Sequence, residues 1–506
     1  MTRPVRKAPA AAVRVSDPRA HRAGAAAPVA ALLLLLAAGG LAGCVVGPKY
    51  QRPSAAVPEQ FYGLGGQAQA ASLADLPWWD LFQDPTLKSL IEEALRNGYQ
   101  VKIAAARVEE ARARFGIAGA DLVPQVGYQG QFERARFSGF TPGAPTHVTA
   151  VDVITANLNL SWEVDLWGRV RHLTAAAKAQ YLATEEARRG VALALVSEVA
   201  SAYFDLRQLD QDLEIARRNA AAFQDTFNLF DKQLKGGVAS GLETSNAEAS
   251  WANVAAQVPA LESQIAAKEN QLALLLGRNP GPLPRGGALF EQPLRAEVPA
   301  GLPAALLVRR PDVRQAEQQL IAANATIGAA DAALLPTISL TGMFGGLSPD
   351  LRELLSKGRT WSVAAGITGP IFEGGRLRNE VRVAQAQFEQ AKLEYEQSVT
   401  NAFGEVSTAL VALQKLAEAE HERQRAVNAY QEAVRLANLR YNSGLSAYFE
   451  VITAQENLLN AENALAQVRH DRLVAVVNLY KALGGGWQIE MASSSMMPPP
   501  APPVHF

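Results

Sequence analysis

The sequence predicts a mixed α and β membrane protein: a transmembrane β-barrel closed by several chains, carried on very long α-helices, with an internal two-fold repeat. Three observations predict it. Four segments of about ten residues alternate apolar and polar side chains. Two stretches of more than 60 residues contain no proline and a single glycine each. The whole arrangement then occurs twice along the 506 residues.

The chain opens on a targeting segment rather than on the fold. Arg3, Arg6, Lys7, Arg14, Arg19 and Arg22 precede an apolar run over 28–38, which ends in Leu41-Ala42-Gly43-Cys44. A basic stretch, a short apolar core and small residues at the cut describe a secretory signal peptide over 1–43. The run is too short to span a bilayer stably as a helix. A cysteine directly after Leu-Ala-Gly resembles a bacterial lipobox, in which Cys44 is acylated and becomes the new N-terminus. Val45 follows it instead of the aspartate that resembles an inner-membrane retention signal, so the expected destination is the outer membrane. Loss of 1–43 removes six positive charges and one negative, and leaves a mildly acidic net charge of −6.

Residues 44–98 are expected to form a lipid-anchored N-terminal segment, and 99–277 the first repeat. That repeat comprises a helix over 99–122, two strands, a long helix over 169–235 and a helix over 241–277. A proline-rich linker, 278–310, leads to the second repeat, 311–484. Its helices are expected over 312–335, 376–441 and 446–483, and 485–506 reads as a largely disordered tail. The repeat is fixed by constant offsets. Gly168, Gly237, Glu243 and Gly277 match Gly375, Gly444, Glu450 and Gly484, each 207 residues on. Gly116, Pro124 and Gly130 match Gly328, Pro336 and Gly342 at an offset of 212.

The long stretches are rods. Val399, Phe403, Val406, Leu410, Leu413 and Ala417 step by alternating fours and threes, the seam of a coiled coil. At 1.5 Å per residue, such helices reach on the order of 100 Å, a length for crossing a compartment. In each repeat the two medium helices sum to nearly the length of one rod, so they fit beside it end to end. Pro259 inside one medium helix is expected to kink it.

The alternating segments are strands whose apolar set is Tyr128 and Phe132, then Leu158, Leu160 and Trp162, then Leu340 and Phe344, then Trp361 and Ile367. These residues are expected to face lipid. The helices run away as rods and offer no cover for the sheet. Four strands cannot close a barrel, and open edges are not tolerated in lipid. Closure therefore requires two or three chains, between which residue physics does not choose.

At this point the sequence resembles the TolC-like outer-membrane efflux proteins, and among them the NodT-type lipoproteins. The residues that carry the resemblance are Val46-Gly47-Pro48-Lys49-Tyr50, Trp78-Trp79-Asp80-Leu81-Phe82 and Trp162-Glu163-Val164-Asp165-Leu166-Trp167-Gly168-Arg169. Leu307-Val308-Arg309-Arg310-Pro311-Asp312-Val313 and Gly369-Pro370-Ile371-Phe372-Glu373-Gly374-Gly375-Arg376-Leu377 complete the set. The resemblance implies a homotrimer with twelve barrel strands, a helical periplasmic tunnel and a small equatorial domain. It implies partners too: a periplasmic adaptor (membrane fusion) protein and an inner-membrane transporter of the resistance-nodulation-division type.

Two helix-to-helix turns would form the periplasmic tip. Gly237, Val238, Ala239 and Ser240 in one, and Gly444, Leu445 and Ser446 in the other, are expected to meet the adaptor. Glycine also suits the left-handed backbone of a helix end. Carried over by motif position, Phe449, Glu450 and Thr453 fall where the family gates its pore. Thr453 stands where relatives often carry a carboxylate, so only one acidic layer remains, at Glu450.

No other chemistry is expected. One cysteine excludes a disulfide framework, and six histidines show no ligand spacing. No phosphate-binding loop or nucleophile elbow appears, and the charge balance gives no reason to invoke nucleic acid. The reading is therefore of a non-enzymatic channel without metal or cofactor, its one covalent group the lipid on Cys44. Two rival readings are a type I protein-secretion channel and a structural coiled-coil lipoprotein. The latter leaves the duplication and the strands unexplained.

Overall fold

A computed structural model describes residues 45–54, 57–62, 72–73, 81–136, 150–294, 301 and 303–485. Cys44 and Trp78-Trp79-Asp80 lie outside the described residues, as does the tail beyond 485. The element order is α1 (Pro85–Asn97), α2 (Tyr99–Ala120), β1 (Gln125–Arg136), β2 (Ala150–Val164), α3 (Arg169–Lys235) and α4 (Gly241–Leu275). It continues with α5 (Pro311–Ala332), β3 (Thr337–Ser348), β4 (Arg359–Thr368), α6 (Arg376–Asn442) and α7 (Phe449–Ala482). Both rods are 67 residues long. Helix α1 was not expected. It begins where Asp84 caps the amides of Thr86 and Leu87 and Pro85 occupies the first turn.

The residues group into two compact units, each assembled from both halves of the chain. The first holds the sheet: among the described residues 45–47, 119–136, 150–172 and 328–380. Its strands form an antiparallel meander in the order β1-β2-β3-β4. Gly168 and Gly375, at φ of 85° and 87°, turn the chain out of the strand segments into α3 and α6. The segment after Cys44 belongs to this unit. The Val46 amide donates to the Trp167 carbonyl at 3.2 Å, and His172 Nε2 lies 2.8 Å from the Val46 carbonyl oxygen.

The second unit holds the helices. Its main core packs Leu87, Leu90 and Ile91 of α1 with Leu195, Tyr203 and Phe204 of α3. Tyr395, Val399 and Val406 of α6 join them, with Leu473, Val477 and Tyr480 of α7. Val399, Val406 and Leu410 of the expected seam are buried, and Phe403 and Leu413 pack against the same cluster. Pro259 lies inside α4, whose helical span continues through it. Asp84 is buried and accepts from the Tyr203 hydroxyl and from Gln292 Nε2, each at 2.7 Å. Burial pushes its carboxyl up, but these bonds and the Leu87 and Thr86 amides outweigh burial and hold it below the ordinary aspartate range.

Candidate functional site: an apolar sheet face and a helical tip

The sheet register sorts side chains by face. Tyr128 stands opposite Leu158, Leu158 opposite Phe344, and Phe344 opposite Trp361, one apolar row across all four strands. On the other face Gln129, Asn157, Gly345 and Thr360 form the corresponding row. Tyr128, Phe132, Leu158, Leu160, Phe344, Trp361 and Ile367 are exposed, Tyr128 by 90%. Trp162 and Leu340, paired across β2 and β3, are half-buried, and the Trp162 indole donates to the Leu122 carbonyl at 3.1 Å. An exposed apolar face of this extent in an unaccompanied chain marks contact with lipid or partner.

The tip is built by two turns within the helical unit. Gly237 and Gly444 end α3 and α6 at φ of 76° and 72°. In both, the glycine amide and the next amide fold back on the last helical turn. Val238 donates to the Gln233 carbonyl and Leu445 to that of Arg440. Val238 and Leu445, 207 residues apart in the sequence, are then 82% and 71% exposed. Ser240 caps α4 in a reciprocal box with Glu243.

Beneath the second turn Tyr448 is buried. Its ring meets Phe230 at 4.6 Å and Tyr441 at 4.8 Å, both edge-on, and its hydroxyl lies 2.5 Å from Thr226 Oγ1. Val451 and Ile452 continue this core. Phe449, Glu450 and Thr453 occupy the opposite face of α7, since positions three and four apart align on a helix. Phe449 is 73% exposed, and Glu450 pairs with Arg440 at 3.5 Å. The three residues expected at the gate are thus brought together on one open face. The Ser446 hydroxyl oxygen is buried with no hydrogen-bond partner.

Among the described residues no group of three or more His, Cys, Asp or Glu could hold a metal ion. No described helix is long and apolar enough to cross a membrane. Sequence reasoning missed Tyr448 and Asp84. Asp84-Pro85 is a helix-start signal that would have located the latter, whereas nothing local distinguishes Tyr448 from other helix tyrosines.

A lipid-type sheet face joined in one chain to rods of this length defines an outer-membrane channel with a helical extension. Residues 90–278 and 302–485 match the outer membrane efflux protein family. The cation efflux system protein CusC of Escherichia coli is 35% identical over 452 residues, covering 88% of this chain and 97% of that protein. A probable efflux pump outer membrane protein of Pseudomonas putida, TtgC, is 38% identical over 456 residues, covering 88% and 93%. The open-state crystal structure of the Neisseria gonorrhoeae MtrE outer membrane channel superposes with a TM-score of 0.78 at 32% identity, covering 88% and 98%. The chain belongs to the outer membrane efflux protein family. It is an outer-membrane efflux channel, and not an enzyme.

Proposed function

We propose that three copies of this chain close a twelve-stranded barrel, continued by a helical tunnel, and form the exit duct of a tripartite pump. The observation that carries this reading is the apolar row Tyr128–Leu158–Phe344–Trp361 on a sheet of only four strands. Such a face needs lipid, and such a sheet needs copies of itself. The matching element order of the two halves supports an internal duplication. An acylated Cys44 would anchor the chain beside outer-membrane lipid, since residues 45–47 pack within the sheet-bearing unit.

At the tip, exposed Val238 and Leu445, set on bare glycine turns, suit an apolar helical hairpin of a periplasmic adaptor. The transporter on the inner membrane, of the resistance-nodulation-division type, would supply the driving force, and the duct would conduct passively. Phe449, Glu450 and Thr453 form the constriction: three copies of Glu450 about one axis repel each other and attract cations. The test is mass in detergent together with single-channel conductance. A trimer is expected whose conductance rises severalfold in Glu450→Ala and Phe449→Ala. A monomer that never conducts, with or without those changes, would sink the reading.

A further inference from the structure

The apolar face of the sheet changes character at one end. On β2 it is apolar at six successive positions, from Ile154 to Val164. At ordinary strand tilt that is a rise of roughly 25 Å, the height of an outer-membrane apolar band. The next pair outward is Arg134 opposite Asp152, their charged groups 3.5 Å apart. Because side chains alternate, Arg134 and Arg136 share the face of Tyr128 and Phe132, and Arg359 shares that of Trp361. All three arginines are exposed, and Arg136 and Arg359 have no ion-pair partner among the described residues. They stand at the strand ends away from the rods, Arg136 the last residue of β1 and Arg359 the first of β4.

We propose that Arg359, together with the partner's Arg134 and the partner's Arg136, binds the phosphate groups of a phosphorylated glycolipid in the outer leaflet. This rests on the multichain barrel and periplasmic rods proposed above, which turn these strand ends outward and set the β4 edge of one copy near the β1 edge of the next. With Asp152 as the one carboxylate against three arginines on this face of the strands, each chain brings a net charge of +2 to the headgroup level.

Three features point to lipid phosphate. The first is the face. The bases lie on the lipid side, whereas Glu133, beside Arg134 on β1, lies on the opposite one. A cation on the lipid side is costly at mid-bilayer and tolerated near the headgroups, where it is within their reach. The second is the end. Towards the rods the same face finishes in Val126, Val164, Ile338 and Ile367, with no charged residue on any of the four strands. The arginines that follow there are already held, Arg169 by Glu163 at 2.9 and 2.7 Å and Arg171 by Asp165 at 3.0 Å. Attraction to any anionic lipid would place free bases at both ends. Bases at the outer end alone match a bilayer whose outer leaflet carries the phosphorylated glycolipid. The third is the residue type. Every base on this face of the strands is arginine, whose planar fork takes phosphate oxygens two at a time, as a lysine cannot.

Binding is read on the full-length protein in detergent, with diphosphoryl lipid A as the probe and retained lipid counted by native mass spectrometry. Affinity is expected to exceed that for dephosphorylated lipid A, and that for phosphatidylglycerol, by roughly tenfold or more. Changing Arg134→Gln, Arg136→Gln and Arg359→Gln together should weaken it roughly thirtyfold, the effect of losing two uncompensated positive charges beside an anionic headgroup. Lys357→Gln removes a cation of the same end that Glu353 already holds at 2.7 Å, and should leave it unchanged. If the triple variant does not assemble, Arg136→Gln alone should weaken binding severalfold. A trimer that does not distinguish phosphorylated from dephosphorylated lipid A, or whose arginine variants bind as the parent does, overturns the site and leaves the duct standing. Equal binding of phosphatidylglycerol overturns the choice of glycolipid. A monomeric mass overturns the duct reading on which the shared site rests.

Discussion

The turns α3–α4 and α6–α7 occupy the same position in the two halves, yet they are stabilised by different physics. Both leave the preceding helix through a glycine at positive φ, and both expose an apolar residue next. Beyond that they diverge. In the first, Ser240 caps α4 and Glu243 closes the box. Ala447, 207 residues on from Ser240, has no side-chain oxygen to cap with, and α7 begins only at Phe449. There Tyr448, in the place of Gly241, replaces the hydrogen-bonded cap with a buried aromatic anchor among Phe230, Tyr441 and Thr226. The change also frees Glu450, partner of the capping Glu243, to pair with Arg440 on the open face. Of these two glutamates, one therefore serves the backbone of its helix and the other is left on the open face beside Arg440.

The largest effect is expected at the anchor. Tyr448→Ala empties a buried site between two rings and should cost about 3 kcal/mol, as large-to-small aromatic changes do. Amide hydrogen exchange should accelerate over the start of α7 and leave α4 at its native rate; equal acceleration in both helices would show the turns to be one cooperative unit. A smaller and opposite pattern is expected from Ser240→Ala. Loss of the cap should cost about 1 kcal/mol and speed exchange over 241–244 alone.

Much of this was legible in sequence because it is periodic. The 67-residue rods follow from unbroken helical composition, and the four strands from alternation that the register then places on one face. Helix α3 spans the 169–235 expected, while α6 extends one residue past the expected 441. The helix expected over 446–483 begins instead at Phe449. The Ser446 hydroxyl is buried without a partner, and Tyr448 sets the boundary by packing, which no local pattern encodes. The grouping of Phe449, Glu450 and Thr453 needed only helix spacing once family position had singled them out. The buried Asp84–Tyr203–Gln292 contacts join residues 119 and 208 positions apart, and their long-range component is invisible to any window.

The smallest effect separates the two glutamates by pH. The Ser240 amide and hydroxyl hold the Glu243 carboxyl below its ordinary 4.5. A depressed carboxyl contributes its stabilisation fully above the unfolded value and loses it as pH falls through the folded one. Exchange at the first amides of α4 should therefore rise, relative to intrinsic rates, as pH drops below about 4.5, the ordinary glutamate value. Glu243→Gln keeps an acceptor but carries no charge to lose, so its profile over the same range should be flat. The start of α7, anchored by a ring instead of a carboxylate, should show no comparable step. A step of equal size there would mean that Glu450 also supports its helix, and that the division of labour between the two halves does not hold.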